Sequence, residues 1–251
     1  MSQVVVLLTV VCVACLSGLT VAQLRVVGGT DADIYSYSFV VGITFQRDLT
    51  GNGAIISKRW VLSAASTFYQ TPHAAYDVFA GAEDYRGQAT WYKVERAFLH
   101  PEWIGWTFNI ALVLIRGSFA YTSRVQPINL ASSDPDSLQA QMVSFGRNED
   151  GTSRLREATF ALTSDQSCVD QLTDYYAKLF VLERQGYCLL PGPGPAKGQW
   201  YNDVGAPIVT GNELYAVFAF NENAGGGNEG AVGTRIAFFR NWIQYTMGRN
   251  G

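Results

Sequence analysis

Apolar and polar positions alternate in short blocks along most of the chain, in a pattern typical of β-strands. Several runs rich in β-branched and aromatic residues are bounded by Gly, Asn, Asp or Pro. They span residues 37–45, 53–57, 60–66, 76–81, 110–115, 141–146 and 157–163. Two further apolar runs within residues 206–220 flank Gly211-Asn212, a pair that predicts a β-hairpin. These runs predict an all-β protein, either a sandwich or a pair of barrels.

The carboxyl end departs from the strand pattern. Apolar residues recur there at the spacings of three and four that are typical of one face of a helix. They are Ile236, Phe239, Ile243 and Met247. We therefore predict a C-terminal amphipathic α-helix after the last strand.

The amino terminus has the pattern of a secretory signal. Residues 4–16 form an almost unbroken apolar run, and small residues follow at 20–22. The run is shorter than the roughly 18 to 20 residues that a membrane-spanning helix needs. We predict a cleaved signal peptide over residues 1–22, with a membrane anchor as the alternative. Since no other segment is apolar enough to span a membrane, the mature protein is expected to be secreted and extracellular.

Charge argues against nucleic acid as a partner. The chain has a formal net charge of −3, and Arg25 is the only charged residue among residues 1–25, which leaves −3 − 1 = −4 for the remainder. A mildly acidic protein lacks the basic surplus that binding to phosphate backbones requires.

Cysteine content predicts one disulfide. Cys12 and Cys15 lie in the predicted signal, so that Cys168 and Cys188 remain as an even pair in an oxidising compartment. A zinc site would need two more soft ligands, and outside this pair the chain offers only His73 and His100. We interpret both histidines as ordinary loop or surface residues and expect no metal or other cofactor.

Seven short motifs occur in the order and at the spacings seen in trypsin-like serine proteases. They are RVVGGTDA from Arg25, GAIISKRWVLSAAS from Gly53, HPEW from His100, NIALVLI from Asn109, VQPINL from Val125, NDVGAP from Asn202 and RIAFFRNWI from Arg235. The chain resembles this family over essentially all of residues 26–251, preceded by a short pro-segment at 23–25. The resemblance implies two packed six-stranded antiparallel β-barrels and a C-terminal α-helix, with the active site in the crevice between the barrels.

The resemblance locates three catalytic positions, and all three are replaced. In an active member a serine attacks the substrate, a histidine accepts its proton, and a buried aspartate supports the histidine. The histidine position holds Ser66, the aspartate position Asn109 and the serine position Val204. Val204 has no nucleophilic atom, Ser66 is not a base near neutral pH, and Asn109 has no charge. We therefore expect a protein that is not an enzyme.

The binding positions implied by the resemblance are also altered. The two N–H groups of the oxyanion hole would come from Asn202 and Val204, and Asn is expected to keep the loop's shape because it tolerates positive φ. Gly198 replaces an acidic residue at the base of the specificity pocket. The wall of that pocket holds Ala219, Phe220 and Asn221. Trp200 stands at a cysteine position, where its ring is expected either to fill the pocket or to pack nearby.

Cysteines of the family pattern are missing in pairs. Gly51 and Thr67 replace one bridge, and Trp200 together with a residue between 223 and 228 replaces another. The pair Cys168 and Cys188 matches the bridge that survives. Loss of both partners leaves no unpaired thiol, which favours a settled non-catalytic protein over a recently broken gene.

The sequence also contains a candidate activation cleavage site. Arg25-Val26 forms a trypsin-type cleavage site, and the resemblance implies that the freed ammonium group of Val26 pairs with Asp203. A buried carboxylate without a partner would cost several kcal/mol, so we expect limited cleavage to order the loops around Asp203. An inherited motif without regulatory meaning is the alternative.

These features predict a function in binding. The chain resembles the secreted, non-catalytic serine protease homologues common in arthropods, which act as cofactors, decoys or adaptors in extracellular proteolysis. The expected partner is another extracellular protein, namely a protease, an inhibitor or a cascade component. The loops that begin at Pro191 and Asn221 are candidate contact surfaces, or else ordinary exposed turns. Residual or unrecognised endopeptidase activity and a secreted structural role are the alternatives.

Overall fold

The computed structural model describes residues 29–146, 154–191, 201–222 and 230–251. The strands are β1 (Thr30–Asp31), β2 (Val40–Phe45), β3 (Asp48–Ile55), β4 (Trp60–Ser63), β5 (Tyr76–Ala80), β6 (Thr90–Leu99), β7 (Ala111–Ile115), β8 (Asn129–Leu130), β9 (Ser137–Ser144), β10 (Arg156–Thr163), β11 (Gly186–Pro191), β12 (Pro207–Thr210), β13 (Glu213–Asn221) and β14 (Ala231–Arg235). The helices are α1 (Gln166–Gln171), α2 (Tyr175–Leu182) and α3 (Ile236–Asn250). The predicted signal peptide, the pro-segment and the Arg25-Val26 site lie outside the described residues.

The first barrel is closed by six antiparallel strands in the order β2-β3-β4-β7-β6-β5. Its interior is filled by side chains from the apolar runs, because alternate residues of each strand point to the same side. Strand β7 is buried along its full length, and it pairs with β4 and β6.

The second barrel is built from β9 to β14. Its strands follow the order β10-β11-β14-β13-β12-β9, and β9 pairs back with β10 to close the sheet. Strand β1 adds to β10, and β8 pairs in parallel with β13. The predicted hairpin is confirmed, since β12 and β13 are joined through Gly211-Asn212 and Gly211 has φ of 59°. Of the sandwich and the barrel pair, the structure has two barrels.

The barrels pack through one shared apolar cluster. Phe79 of β5 meets Phe145, which follows β9, edge to face with ring centroids 4.9 Å apart. The cluster also takes in Ile236, Phe239 and Ile243 of α3, so the predicted helical face is the buried one. The crevice between the barrels therefore has rigid walls on both sides.

A charged side chain is buried where β14 meets α3. Arg235 is fully buried; it donates through Nε to the carboxylate of Asp134, and its guanidinium lies 4.2 Å from the ring centre of Tyr187. Arg184 donates to the other oxygen of Asp134 at 3.0 Å. Burial pushes the pKa of Asp134 upward, but hydrogen bonds from Arg235 and Arg184 together outweigh it and leave that pKa lowered.

Two helices depart from the sequence prediction, which expected helix only at the carboxyl end. Both begin at an aspartate cap: Asp165 accepts from the N–H of Cys168, and Asp174 accepts from the N–H of Ala177. The predicted strand 60–66 is also too long, because β4 ends at Ser63 and a 3₁₀ helix follows over Ala65–Phe68.

The predicted disulfide is confirmed. Cys168 of α1 is bonded to Cys188 of β11 with Cα atoms 5.6 Å apart, so the bridge fastens the short helices to the second barrel. In the part of the chain that the structure describes, no helix is both long and apolar enough to cross a membrane.

Candidate functional site

Two of the three candidate catalytic positions lie in direct contact. Ser66 belongs to the 3₁₀ helix after β4, and Asn109 is a fully buried residue just before β7. The Oδ1 atom of Asn109 accepts from the Ser66 N–H at 2.9 Å, and its Nδ2 donates to the Ser66 Oγ at 3.0 Å. The hydroxyl of Thr234 fixes the other side by donating to the Asn109 carbonyl at 2.8 Å. Both side chains are thus held in a neutral network.

The third position, Val204, comes from the second barrel. It follows the 3₁₀ helix Tyr201–Asp203, and its partly buried side chain packs against the apolar cluster of that barrel. Its carbonyl accepts from the N–H of Asn52 on β3 at 2.8 Å. A Cβ built on Gly51 would lie 2.7 Å from the Val204 carbonyl oxygen and 2.9 Å from Cγ2 of Thr67. Since Thr67 is next to Ser66, the structure brings all three candidate positions to one crevice.

Those contacts also place the lost cysteine pair. Gly51 and Thr67 are neighbours in space, as a bridge between their positions would require. The hydroxyl of Thr67 lies 3.1 Å from that of Ser63, so the Thr67 side chain is held by a polar contact within the first barrel.

Asn52 connects the barrels at this crevice. Its Nδ2 donates to the carbonyl of Asn202 at 2.7 Å, and its Oδ1 accepts from the N–H of Phe145 at 2.8 Å. Its own carbonyl accepts from the hydroxyl of Ser63 at 2.6 Å. Asn52 is fully buried, and its side chain satisfies two backbone groups of the second barrel in addition to the Val204 carbonyl that its N–H satisfies. Sequence reasoning did not single it out, because an Asn between two glycines is typical of a turn.

The residue before Val204, Asp203, holds this loop through hydrogen bonds in the protein interior. This fully buried carboxylate accepts from the hydroxyl of Ser144 at 2.6 Å, and the Ser144 oxygen in turn accepts from the N–H of Gly146 at 2.8 Å. A Cβ on Gly146 would fall 1.7 Å from an Asp203 oxygen, so glycine is required beside the carboxylate. Val26, the expected partner of Asp203, lies outside the described residues.

The residues at the expected oxyanion positions, Asn202 and Val204, lie in and just after a 3₁₀ helix. Asn202 belongs to the 3₁₀ helix Tyr201–Asp203 and so has right-handed backbone geometry, without the positive φ that the sequence argument invoked for it. Gly205 does have positive φ, 77°, and a Cβ there would lie 2.2 Å from the Asn52 carbonyl oxygen. Close approach of the two barrels thus depends on glycine at position 205.

The residues expected to form the pocket wall lie on β13. Ala219 and Phe220 are buried there, and Asn221 is partly exposed at the end of the strand. The ring of Trp106 stacks on Phe220, with centroids 4.2 Å apart and an angle of 26° between the planes. Sequence reasoning missed Trp106, which lies in the loop between β6 and β7. Gly198 and Trp200 lie outside the described residues, as does most of the loop that follows Asn221.

Neither histidine supplies a base at the crevice. His100 stacks on Phe108 with centroids 4.8 Å apart and contacts Trp242 at 5.0 Å, and this burial lowers its pKa. His73 contacts the edges of Phe68 and Tyr76. Within the described parts of the chain, neither imidazole bonds to Ser66, Asn109 or Val204.

None of the three candidate positions offers a base near neutral pH or an activated nucleophile, and their hydrogen bonds order a surface. The three candidate positions present a hydroxyl, a carboxamide and an isopropyl group, none of which titrates near neutral pH. Among the residues that the structure describes, no group of three His, Cys, Asp or Glu side chains is placed to hold a metal ion.

Comparison with known proteins identifies the fold and the family. The Trypsin family model matches residues 26–243. The chain belongs to the trypsin family. Neuropsin, a serine protease expressed in the limbic system of mouse brain, superposes with a TM-score of 0.75 at 21% identity, over 87% of this chain and 98% of neuropsin. This likeness to neuropsin shows the same two-barrel fold.

Curated members of the trypsin family match nearly the full length. Trypsin delta of Drosophila erecta is 24% identical over 226 residues, which cover 87% of each chain. Serine protease SP24D of Anopheles gambiae is 26% identical over 233 residues, covering 90% of this chain and 82% of its own. Trypsin V-B of Rattus norvegicus is 25% identical over 242 residues, covering 90% of this chain and 91% of its own.

Proposed function

We propose that this member of the trypsin family is a secreted, catalytically inactive homologue that acts by binding another extracellular protein. The observation that carries the proposal is the neutral pair of Ser66 and Asn109 facing a loop whose third position is Val204. The partner is a protease, an inhibitor or a component of a proteolytic cascade.

Replacement of all three catalytic positions should remove proteolytic activity. Loss of a nucleophile or a base from such a catalytic unit costs about 10⁶ in turnover, roughly 8 kcal/mol of transition-state stabilisation. Further losses in the same unit add little, because the three groups act together. Val204 alone is therefore enough to abolish attack on a carbonyl by this route.

The crevice keeps an ordered network of buried hydrogen bonds, which supports a role in binding. Asn52 holds both barrels together, and Asp203 and Ser144 hold the loop bearing Val204 from the other side. Buried polar groups persist where their hydrogen bonds are complete, and these groups order a surface rather than a reaction. Trp106 and Phe220 add a stacked aromatic pair beside it, the type of residue enriched in protein interfaces.

The test of inactivity is labelling with a serine-directed fluorophosphonate. The native protein is compared with a variant carrying Ser66→His, Asn109→Asp and Val204→Ser, and with a control that carries only Ser66→His and Asn109→Asp. We expect labelling of the triple variant alone, at residue 204. A native protein that reacts at one stoichiometric site would overturn the assignment and reveal another nucleophile.

The binding part of the proposal has its own test. The purified protein is crosslinked in the fluid into which it is secreted, and the products are identified by mass spectrometry. We expect a protease, an inhibitor or a cascade component attached near the crevice. Trp106→Ala should weaken that crosslink, and Tyr245→Ala on the exposed face of α3 should not. Equal recovery of the crosslinked partner with both variants would show that the crevice is not the binding surface.

Cleavage after Arg25 is the regulatory part of the proposal. The position of Asp203 supports it, because this fully buried carboxylate lies just before Val204, where resemblance to the family implies the partner of a freed amino terminus. Intact-mass measurement of the secreted protein should find Val26 at the amino terminus. A population that retains residues 23–25 throughout would refute it.

A further inference from the structure

A cavity of about 420 Å³ lies on the second barrel, away from the crevice. Its polar wall is formed by Ser36 and Tyr37 of the amino-terminal segment, Gln139 and Gln141 of β9, Thr159 of β10 and Thr210 of β12. None of these residues belongs to the site described above. The volume falls within the range of about 300 to 1,000 Å³ that is usual for small-ligand pockets.

The chemistry of this cavity is polar but uncharged. Its lining offers two carboxamides and four hydroxyls, together with small apolar groups and the ring of Tyr37. Among the described residues, no Lys, Arg, Asp or Glu side chain is part of the lining. The carboxylate of Glu157 borders the cavity but already accepts from the Tyr37 hydroxyl, so a charged ligand would lose its hydration here for little ionic gain and the cavity favours a neutral one.

Several of these polar groups are already fixed in orientation. Gln141 Oε1 accepts from the hydroxyl of Thr159 at 3.1 Å, which directs the Nε2 donor of Gln141 elsewhere. The hydroxyl of Thr210 donates to the Gln139 carbonyl at 2.7 Å and keeps lone pairs to accept with. Tyr37 donates its hydroxyl to Glu157, and its ring meets Phe39 edge to face. Burial and this carboxylate together raise the pKa of Tyr37 far above its usual range, so it stays neutral.

Strand pairing argues against a peptide as the ligand. Peptides bind sheets by adding a strand to an open edge. Strand β9 pairs with both β10 and β12, and β12 pairs with both β13 and β9. The pairing of β9 with β12 ends at Gln141 and Val209, and beyond it the Gln139 backbone carbonyl accepts from the Thr210 hydroxyl. Little backbone is therefore open to an added strand, and recognition depends on the side-chain amides and hydroxyls.

We propose that this cavity binds a neutral saccharide of one or two pyranose rings. Sugar hydroxyls both donate and accept, as the carboxamide and hydroxyl groups of this wall do. The apolar face of a pyranose ring matches the aromatic ring of Tyr37. The site is independent of the function proposed for the crevice.

Ligand-observed NMR titration tests this inference on the full secreted protein. The neutral probes are maltose and the dimer of N-acetylglucosamine; the charged probes are glucuronic acid and glucosamine. We expect saturable binding of at least one neutral probe in the millimolar range, and no saturation by the charged probes. Absence of saturation by both neutral probes, or equal binding of a charged one, would overturn the proposal.

Variants place the binding. Gln141→Leu should weaken the affinity about fivefold, the effect of one net hydrogen bond. Gln139→Trp should abolish binding by filling the cavity from its exposed rim, and Gln171→Leu on the exposed face of α1 is the matched control. Thermal melting of each variant verifies the fold. Binding that survives both cavity variants unchanged would refute this location.

Discussion

Asn52→Ala is the substitution that most directly tests how the two barrels are held together. It removes a donor to the Asn202 carbonyl and an acceptor for the Phe145 N–H, both at less than 3 Å in the native protein. The Phe145 amide is buried, so leaving it unpaired should cost about 1 to 3 kcal/mol. The hydrogen bond to the Asn202 carbonyl is only partly buried, so loss of this bond should add about 1 kcal/mol.

The sum for Asn52→Ala is a loss of about 2 to 4 kcal/mol. For a chain of this size, each kcal/mol lowers the melting temperature by about 2 to 4 °C, so a decrease of roughly 5 to 15 °C is expected. Calorimetry and urea unfolding measure it, and hydrogen exchange should show faster exchange at the Phe145 amide.

Two controls sharpen this experiment. Asn212→Ala changes the same residue type in the exposed turn between β12 and β13 and should alter stability by less than about 0.5 kcal/mol. Asn52→Asp keeps the acceptor for Phe145 but loses the donor to Asn202, so protection of the Phe145 amide should persist. The reasoning fails if Asn52→Ala matches the wild type in stability and exchange.

Three further predictions concern stability. Asp134→Ala should cost about 2 to 3 kcal/mol, less than a fully buried pair because Asp134 keeps 42% side-chain exposure. The pKa of Asp134 is lowered in the folded state, so its contribution to stability is complete above its unfolded pKa of about 3.9. That contribution is lost as the pH falls through the folded pKa. Urea midpoints at pH 3 and pH 6 measure the difference. Replacing Cys168 and Cys188 together by Ala should cost about 3 kcal/mol, measured by thermal melting. Gly205→Ala should destabilise the loop bearing Val204 by more than about 2 kcal/mol, measured by urea unfolding with Gly211→Ala as a second positive-φ control that has no neighbour within 4 Å.

Each of these predictions has a contrary result. If acid lowers the stability of Asp134→Ala as much as it lowers that of the wild type, another carboxylate is responsible for the pH dependence. Unchanged melting of the cysteine-free variant would mean that the helices α1 and α2 hold β11 without the bridge. Equal losses in Gly205→Ala and Gly211→Ala would assign the effect to backbone conformation and not to contact with the Asn52 carbonyl.

Many strand positions were predictable because their apolar runs are short and end at turn-forming residues, but β6, β11 and β14 lie outside the predicted runs. The β12–β13 hairpin and the buried face of α3 follow from period and turn chemistry alone. The choice between sandwich and barrels was not available from pattern, since closure depends on which distant strands pair, such as β9 with β10 and β12. That choice came from resemblance to a family.

Helices α1 and α2 were missed although their caps are visible in the sequence. Asp165 and Asp174 each precede a run that is too short and too mixed to show a helical period. At the crevice, the positions of Ser66, Asn109 and Val204 were located by motif. The roles of Asn52 and Trp106 depend on contacts between segments far apart in sequence, which no local pattern encodes.

The tight packing at Gly51 limits how this chain can change in future. A side chain at position 51 would begin 2.7 Å from the Val204 carbonyl oxygen and 2.9 Å from the Thr67 methyl group. Thr67→Cys by itself relieves one of these contacts and creates an unpaired thiol, and Gly51→Cys by itself meets both. A disulfide between these two positions would therefore need both substitutions together, and also a shift of the Val204 carbonyl away from position 51.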